Sequence, residues 1–162
     1  MKRVYISVGS NMDAENHIRA AVRVLRNQFG ELDVSTTYRN PAVGFEGEDF
    51  LNLVIGLDSD LAIPDLASVM REIENSLGRD RSLPRFSARP IDLDLLIVGN
   101  AIVQEAGIAL PRDEILNYAF VLCPLAELIG DAIHPEKQCS YQKLWEKFDR
   151  ANLQMIPVNI VW

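Results

Sequence analysis

Asp92 and Asp94 stand one residue apart inside an apolar run, Ile91-Asp92-Leu93-Asp94-Leu95-Leu96-Ile97-Val98. A segment so rich in Ile, Leu and Val reads as a strand, where side chains at i and i+2 share a face. The two carboxylates therefore lie side by side, with Ile91, Leu93, Leu95 and Ile97 on the opposite face. Like charges this close repel unless a proton or a cation sits between them. Just upstream, residues 79–89 (RDRSLPRFSAR) hold four arginines, Arg79, Arg81, Arg85 and Arg89, a quarter of the 16 Lys and Arg of the chain. Guanidinium forks bind phosphate oxygens bidentately. Paired carboxylates hold Mg²⁺, which in turn bridges phosphate oxygens. Together the two segments predict an Mg²⁺-dependent phosphoryl or nucleotidyl transfer site.

A second group lies on residues 50–58, FLNLVIGLD. Phe50 and Asn52 share one face of that strand, and Leu51, Leu53, Ile55 and Leu57 the other. An aromatic ring beside an amide suits a flat heterocycle, one stacking and the other reading an edge. His17 and His134 have no ligand spacing and are expected to be structural or surface residues. Cys123 and Cys139 form no C-x-x-C and are expected to be inert thiols in a reducing compartment.

These groups need a scaffold. The 162 residues suit one domain, 1–162, with a single core. A net charge of −7 argues against a nucleic-acid partner. No apolar run approaches the ~18 residues of a membrane span, and no leader pattern opens the chain, so the expected location is cytoplasmic. Residues 3–8 alternate as a strand, broken at 9–11 by GSN. Ile18, Ala21, Val22, Leu25 and Phe29 form a helical stripe ended by Gly30. Residues 32–38 read as a strand, 39–49 as a loop and 50–58 as a buried strand. Pro64 opens and Gly78 closes a helix carrying Leu66, Val69, Met70, Ile73 and Leu77. Beyond residue 100 the pattern weakens, to a turn or short helix at 111–117, an apolar stretch with a proline at 118–129, and a short helix near 141–150. Strand–helix–strand–strand–helix–strand is the ferredoxin-like order. The expected fold is an α+β sandwich, an antiparallel sheet with two helices on one face, extra helical cover from the C-terminal third, and a face left for a site.

The run 85–96, RFSARPIDLDLL, resembles the signature of the 6-hydroxymethyl-7,8-dihydropterin pyrophosphokinase family of folate biosynthesis. YISVGSNM at 5–12, YRNPAVG at 38–44, DFLN at 49–52 and FVLCPLAEL at 120–128 match it in order. The resemblance implies a ferredoxin-like fold, usually monomeric or dimeric, and transfer of pyrophosphate from ATP to the pterin hydroxymethyl group, leaving AMP. It implies that Asp92 and Asp94 hold two Mg²⁺ ions, and that Arg85 and Arg89 join them in catalysis. Arg79, Arg85 and Arg89 would face the phosphates and Glu74 would line the nucleotide site. Asn52 would read the pterin edge, Phe50 and Phe120 would enclose its ring, and Val43 and Gly44 would lie beside it. Met12 and Tyr38 look structural.

Several positions depart from the family pattern. Ser87-Ala88 replaces Gly-Pro. Arg112 stands where a histidine is common and is expected among the ATP-binding residues. Tyr118 stands where an arginine is common, and Gly107 and Ala109 replace residues that often contact ATP. Two other readings compete. A nucleotidyltransferase would use Gly9-Ser10 with the aspartates, but some eighty residues separate them. A non-catalytic pterin- or nucleotide-binding module would not need the acidic pair.

Overall fold

A computed structural model of the chain describes residues 1–78, 90–105 and 107–162. Its main sheet is built from β1 (Lys2–Ser10), β2 (Asp33–Val34), β3 (Thr37–Asn40), β4 (Phe50–Ser59), β5 (Asp92–Val98) and β8 (Ile156–Val158). The strand order is β5-β1-β4-β3-β8, with β2 also on β4, and every pairing is antiparallel. The first four places in that order are the ferredoxin-like arrangement, as the element order predicts.

Two helices cover one face, α1 (Ala14–Phe29) and α2 (Ile63–Ser76). The apolar periodicity of each sends Ile18, Ala21, Val22 and Leu25, and Leu66, Met70 and Ile73, onto Val4, Ile6, Val8, Leu53, Ile55, Leu57 and Leu93. Gly30 after α1 and Gly78 after α2 have φ of +83° and +96°, left-handed turns that stop each helix.

The other face is only half covered. The short α3 (Glu114–Asn117) precedes α4 (Ala119–Ile129), and α5 (Tyr141–Lys147) packs on α4. Val121, Leu122, Leu125 and Ala126 of α4 cover Tyr5, Val54, Leu96 and Ile97. The C-terminal third is thus helical cover, as expected, and Pro124 sits inside α4 because burial of its neighbours outweighs the lost backbone bond. A two-stranded hairpin, β6 (Val103–Glu105) with β7 (Ile108–Leu110), lies beside β5.

The structure corrects three details of the sequence reading. Residues 32–38 do not form one strand: Ser35 and Thr36 interrupt it, the Ser35 hydroxyl accepting Val54 N–H at 2.9 Å. β1 does not break at GSN but runs through Gly9 to Ser10. Ile97 does not share the face of Leu93 and Leu95. A β-bulge places Tyr5 opposite Ile97 and Ile6 opposite Leu95, so Leu96 is extra and both Leu96 and Ile97 turn toward α4.

Candidate active site

The uncovered half of that face is the floor of a cleft of about 460 Å³. Its floor follows from strand register. Asp92 lies opposite Gly9, Gly9 opposite Asn52, and Asn52 opposite Tyr38, one row across four strands. Asp94 lies opposite Ser7 in the next row. The two small residues of β1, Ser7 and Gly9, keep the floor low between the acidic pair and the amide. Adjacent strands are about 4.8 Å apart, so Asp92 and Asn52 stand about 10 Å from one another.

Alternation brings Asp92 and Asp94 into the cleft together, as their spacing predicts. Burial holds the Asp94 carboxyl up at about 6, Arg112 pulls it down, and Asp92, Glu74 and Glu114 add to the rise. Arg112 is set beside it by the backbone, its N–H donating to Leu96 O at 2.9 Å on the outer edge of β5. Its guanidinium then lies 3.6 Å from Asp94 Oδ1 and 2.5 Å from Glu114 Oε2. Glu74 also lines the cleft, and its Oε2 accepts Leu93 N–H at 2.9 Å, satisfying the outward backbone donor of the edge strand.

At the other end, Asn52 donates to Asn40 Oδ1 at 2.6 Å. Phe50 lines the cleft and meets Phe45 edge-on at 6.4 Å between centroids. Phe120 lines the opposite wall, stacked on Tyr118 at 5.0 Å and 22°. Val43 is exposed on the rim; Gly44 beside it turns with φ +84° and does not itself line the cleft. Gly107, Ala109, Arg112 and Tyr118, the positions that depart from the family pattern, all line it as well. Arg79, Arg81, Arg85 and Arg89, with Ser87 and Ala88, fall outside the described residues.

Met12 and Tyr38 play structural parts. The Met12 carbonyl takes the His17 ring, and Tyr38 lies against Glu127 of α4. His134 is buried with its Nδ1 accepting the N–H groups of Glu136 and Lys137 at 3.1 and 3.2 Å, a turn clamp, and burial lowers its pKa. Both cysteines are free thiols.

Sequence reasoning missed several contributors. Ser7 and Gly9 carried a usable signal, two small residues at i and i+2 of a strand. Ser10 donates to Pro90 O at 2.5 Å and Asn11 to Glu48 O at 3.2 Å, tying the ends of two cleft segments to β1. Asn40 and Glu114 carried no signal, because only the register and the turn into α3 bring them in.

Mg²⁺ fits this donor set. Among the described residues no group of three or more His, Cys, Asp or Glu side chains could hold a metal ion. Two hard carboxylates alone suit an ion that keeps waters and takes its remaining ligands from phosphate, and a cation would relieve the burial cost at Asp94.

Fold and cleft are those of a small-molecule phosphotransferase. A family model described as 7,8-dihydro-6-hydroxymethylpterin-pyrophosphokinase matches residues 5–130. A 2-amino-4-hydroxy-6-hydroxymethyldihydropteridine pyrophosphokinase of Haemophilus influenzae is 29% identical over 97% of this chain and 100% of that protein. The enzyme of that name from Methylorubrum extorquens is 36% identical over 82% of this chain and 86% of that protein. A solved HPPK-DHPS in complex with substrates superposes with a TM-score of 0.73 at 10% identity, covering 90% of this chain and 43% of that longer one. A Plasmodium falciparum HPPK-DHPS gives 0.69. The chain belongs to the 7,8-dihydro-6-hydroxymethylpterin-pyrophosphokinase family. It is an ATP-dependent enzyme of folate biosynthesis that transfers pyrophosphate to hydroxymethyldihydropterin. No helix among the described residues is long and apolar enough to cross a membrane.

Proposed function

We propose that this cleft carries the reaction, with the pterin over Asn52 and the ATP phosphates over Asp92 and Asp94. The observation behind it is the row Asp92–Gly9–Asn52 on the floor of one cleft. Asn52 reads the heterocycle edge, and Phe50 and Phe120 close on its two sides. The hydroxymethyl oxygen then points along the row toward the acidic pair. It attacks the β-phosphorus of ATP in line, the β-phosphorus–oxygen bond to the α-phosphate breaks, AMP leaves, and the hydroxyl proton is released to water. Asp92 and Asp94 would hold two Mg²⁺ ions, whose chemistry there would be to offset phosphate charge and lower the barrier to attack. Arg112 sits within reach of the same phosphates and exchanges its pairing with Asp94 for them. Arg85 and Arg89, with Arg79, supply further phosphate-binding charge by their chemistry and their place just before Asp92, and Glu74 lines the nucleotide side. Val43 and Gly44 flank the pterin. Positioning and electrostatics do the work, as in phosphoryl transfer generally. Residues 1–162 act as one catalytic unit, monomeric or homodimeric, in the cytoplasm.

The test separates the two ends. Asp92→Asn should abolish AMP formation while pterin still binds in the absence of nucleotide. Asn52→Ala should weaken pterin binding by roughly 1–3 kcal/mol and leave the affinity for a non-hydrolysable ATP analogue unchanged. Near-normal turnover in the first variant, or an unchanged pterin Kd in the second, overturns the assignment.

A further inference from the structure

We propose that Asn40 is a positioning residue that holds the Asn52 amide one way round, so that the cleft tells a lactam edge from an amidine edge of a bicyclic heterocycle. This deepens the assignment of Asn52 to the pterin and rests on it. Tyr38 pairs with Asn52 and Asn40 with Phe50, so Asn40 and Asn52 are diagonal neighbours on one face. Asn52 Nδ2 donates to Asn40 Oδ1 at 2.6 Å, and Asn40 Nδ2 donates to Pro41 O at 3.3 Å. A backbone carbonyl can only accept. Asn40 must therefore turn its NH₂ to Pro41 and its oxygen to Asn52, and Asn52 must turn its NH₂ to Asn40. Asn52 Oδ1 is left over Gly9, 2.7 Å from where a Cβ on that glycine would stand.

Asn40 and Asn52 are 6% and 9% exposed, so water cannot readily substitute for either partner. Flipping Asn52 would set two amide oxygens against each other with no proton between them. Locked, Asn52 offers an acceptor, Oδ1, and its remaining N–H. A lactam edge answers with a ring N–H and a carbonyl. An amidine edge has the reverse order, a ring nitrogen that accepts beside an amino group that donates, and needs the flipped amide.

The test measures Kd by calorimetry for 6-hydroxymethyl-7,8-dihydropterin and for its 4-amino analogue, which carries the amidine edge. The wild type, Asn52→Ala, Asn40→Ala and Asn40→Asp are compared, with thermal melts to confirm folding. The wild type should prefer the 4-oxo ring, and Asn40→Ala should lose about tenfold of that preference because the freed amide can serve either edge. Asn40→Asp keeps an acceptor facing Asn52 and should retain the preference. If Asn52→Ala leaves pterin affinity unchanged, the reading of Asn52 fails and the lock fails with it. If Asn52→Ala weakens binding but Asn40→Ala keeps full preference, the lock alone is refuted. Should Asn40→Ala not fold, loss of preference in Asn40→Asp refutes the lock, and retention with a carboxylate in place of the amide that donates to the Pro41 carbonyl supports it.

Discussion

Asp94→Asn should inactivate the enzyme and stabilise its metal-free form. The folded protein raises the Asp94 carboxyl from 3.8 to about 6, with burial the largest cause and Arg112 opposing. A folded pKa above the unfolded value means that the folded state holds the proton more tightly. The stability linked to that proton is present below about pH 3.8 and is lost as pH rises through about 6. At pH 7.5 the shift would cost about 3 kcal/mol for a fully enclosed group. The side chain is 40% exposed, so solvent screening cuts this to roughly 1 kcal/mol. An asparagine of the same size carries no charge and escapes that cost. For a chain of this length 1 kcal/mol corresponds to about 2–4 °C. Scanning calorimetry in a chelator should therefore show Asp94→Asn melting about 2–4 °C above wild type at pH 7.5, and nearly level with it at pH 4. Turnover should be lost in the same variant. A lower melting temperature at pH 7.5, or an equal gain at both pH values, would mean that the Asp94–Arg112 contact outweighs burial and that the reasoning is wrong.

Two further expectations come from the same corner of the cleft. Mn²⁺ used as a spectroscopic probe of the metal site should bind more weakly at pH 5 than at pH 7.5, because burial raises the Asp94 carboxyl toward that range and its proton then competes with the metal; a flat profile by electron paramagnetic resonance counts against Asp94 as a ligand. Arg112→Ala should raise the calorimetric Kd for a non-hydrolysable ATP analogue, and Tyr118→Arg should lower it, each by roughly 1–2 kcal/mol and less in high salt; no change in either variant removes these positions from the nucleotide side.

Much of the scaffold was legible because its signals are local. The α1 and α2 stripes and the glycines that follow them place two helices, and i, i+2 alternation puts Asp92 with Asp94 and Phe50 with Asn52. What stayed hidden needed information from across the sheet. Ile97 was assigned to the wrong face because a bulge is a relation between two strands, and β5 alone reads as unbroken alternation. Asn40 reads as a loop residue before a proline, and nothing in its neighbours shows that β3 will reach it and set it diagonal to Asn52. β8 is three residues, Ile156–Val158, too short for any periodicity to declare itself. Ser10 and Asn11 read as a chain break because small polar residues usually mark turns; here their side chains hold Pro90 and Glu48 from within or just beyond the strand.

The bulge also explains how one sheet face serves two purposes. Up to Leu95, alternation turns Asp92 and Asp94 to the open face and Leu93 and Leu95 to the core under α2, and the cleft borders both sets because it wraps the edge of β5. At Leu96 the extra residue resets the parity, and Leu96 and Ile97 both turn to α4. The same turn offers the Leu96 carbonyl to Arg112 N–H, which fixes the guanidinium beside Asp94. One irregularity therefore closes the apolar half of the face, starts the polar half, and delivers the cation at their boundary. On the proposed reading the strands also set the spacing of the reaction. The edge-reading amide on β4 and the acidic pair on β5 are separated by β1 alone, about 10 Å from strand to strand. A bicyclic ring lying across Gly9 spans that gap with its one-carbon arm toward the aspartates, and a ring shifted one row toward Ser7 would meet Val54, which α4 covers.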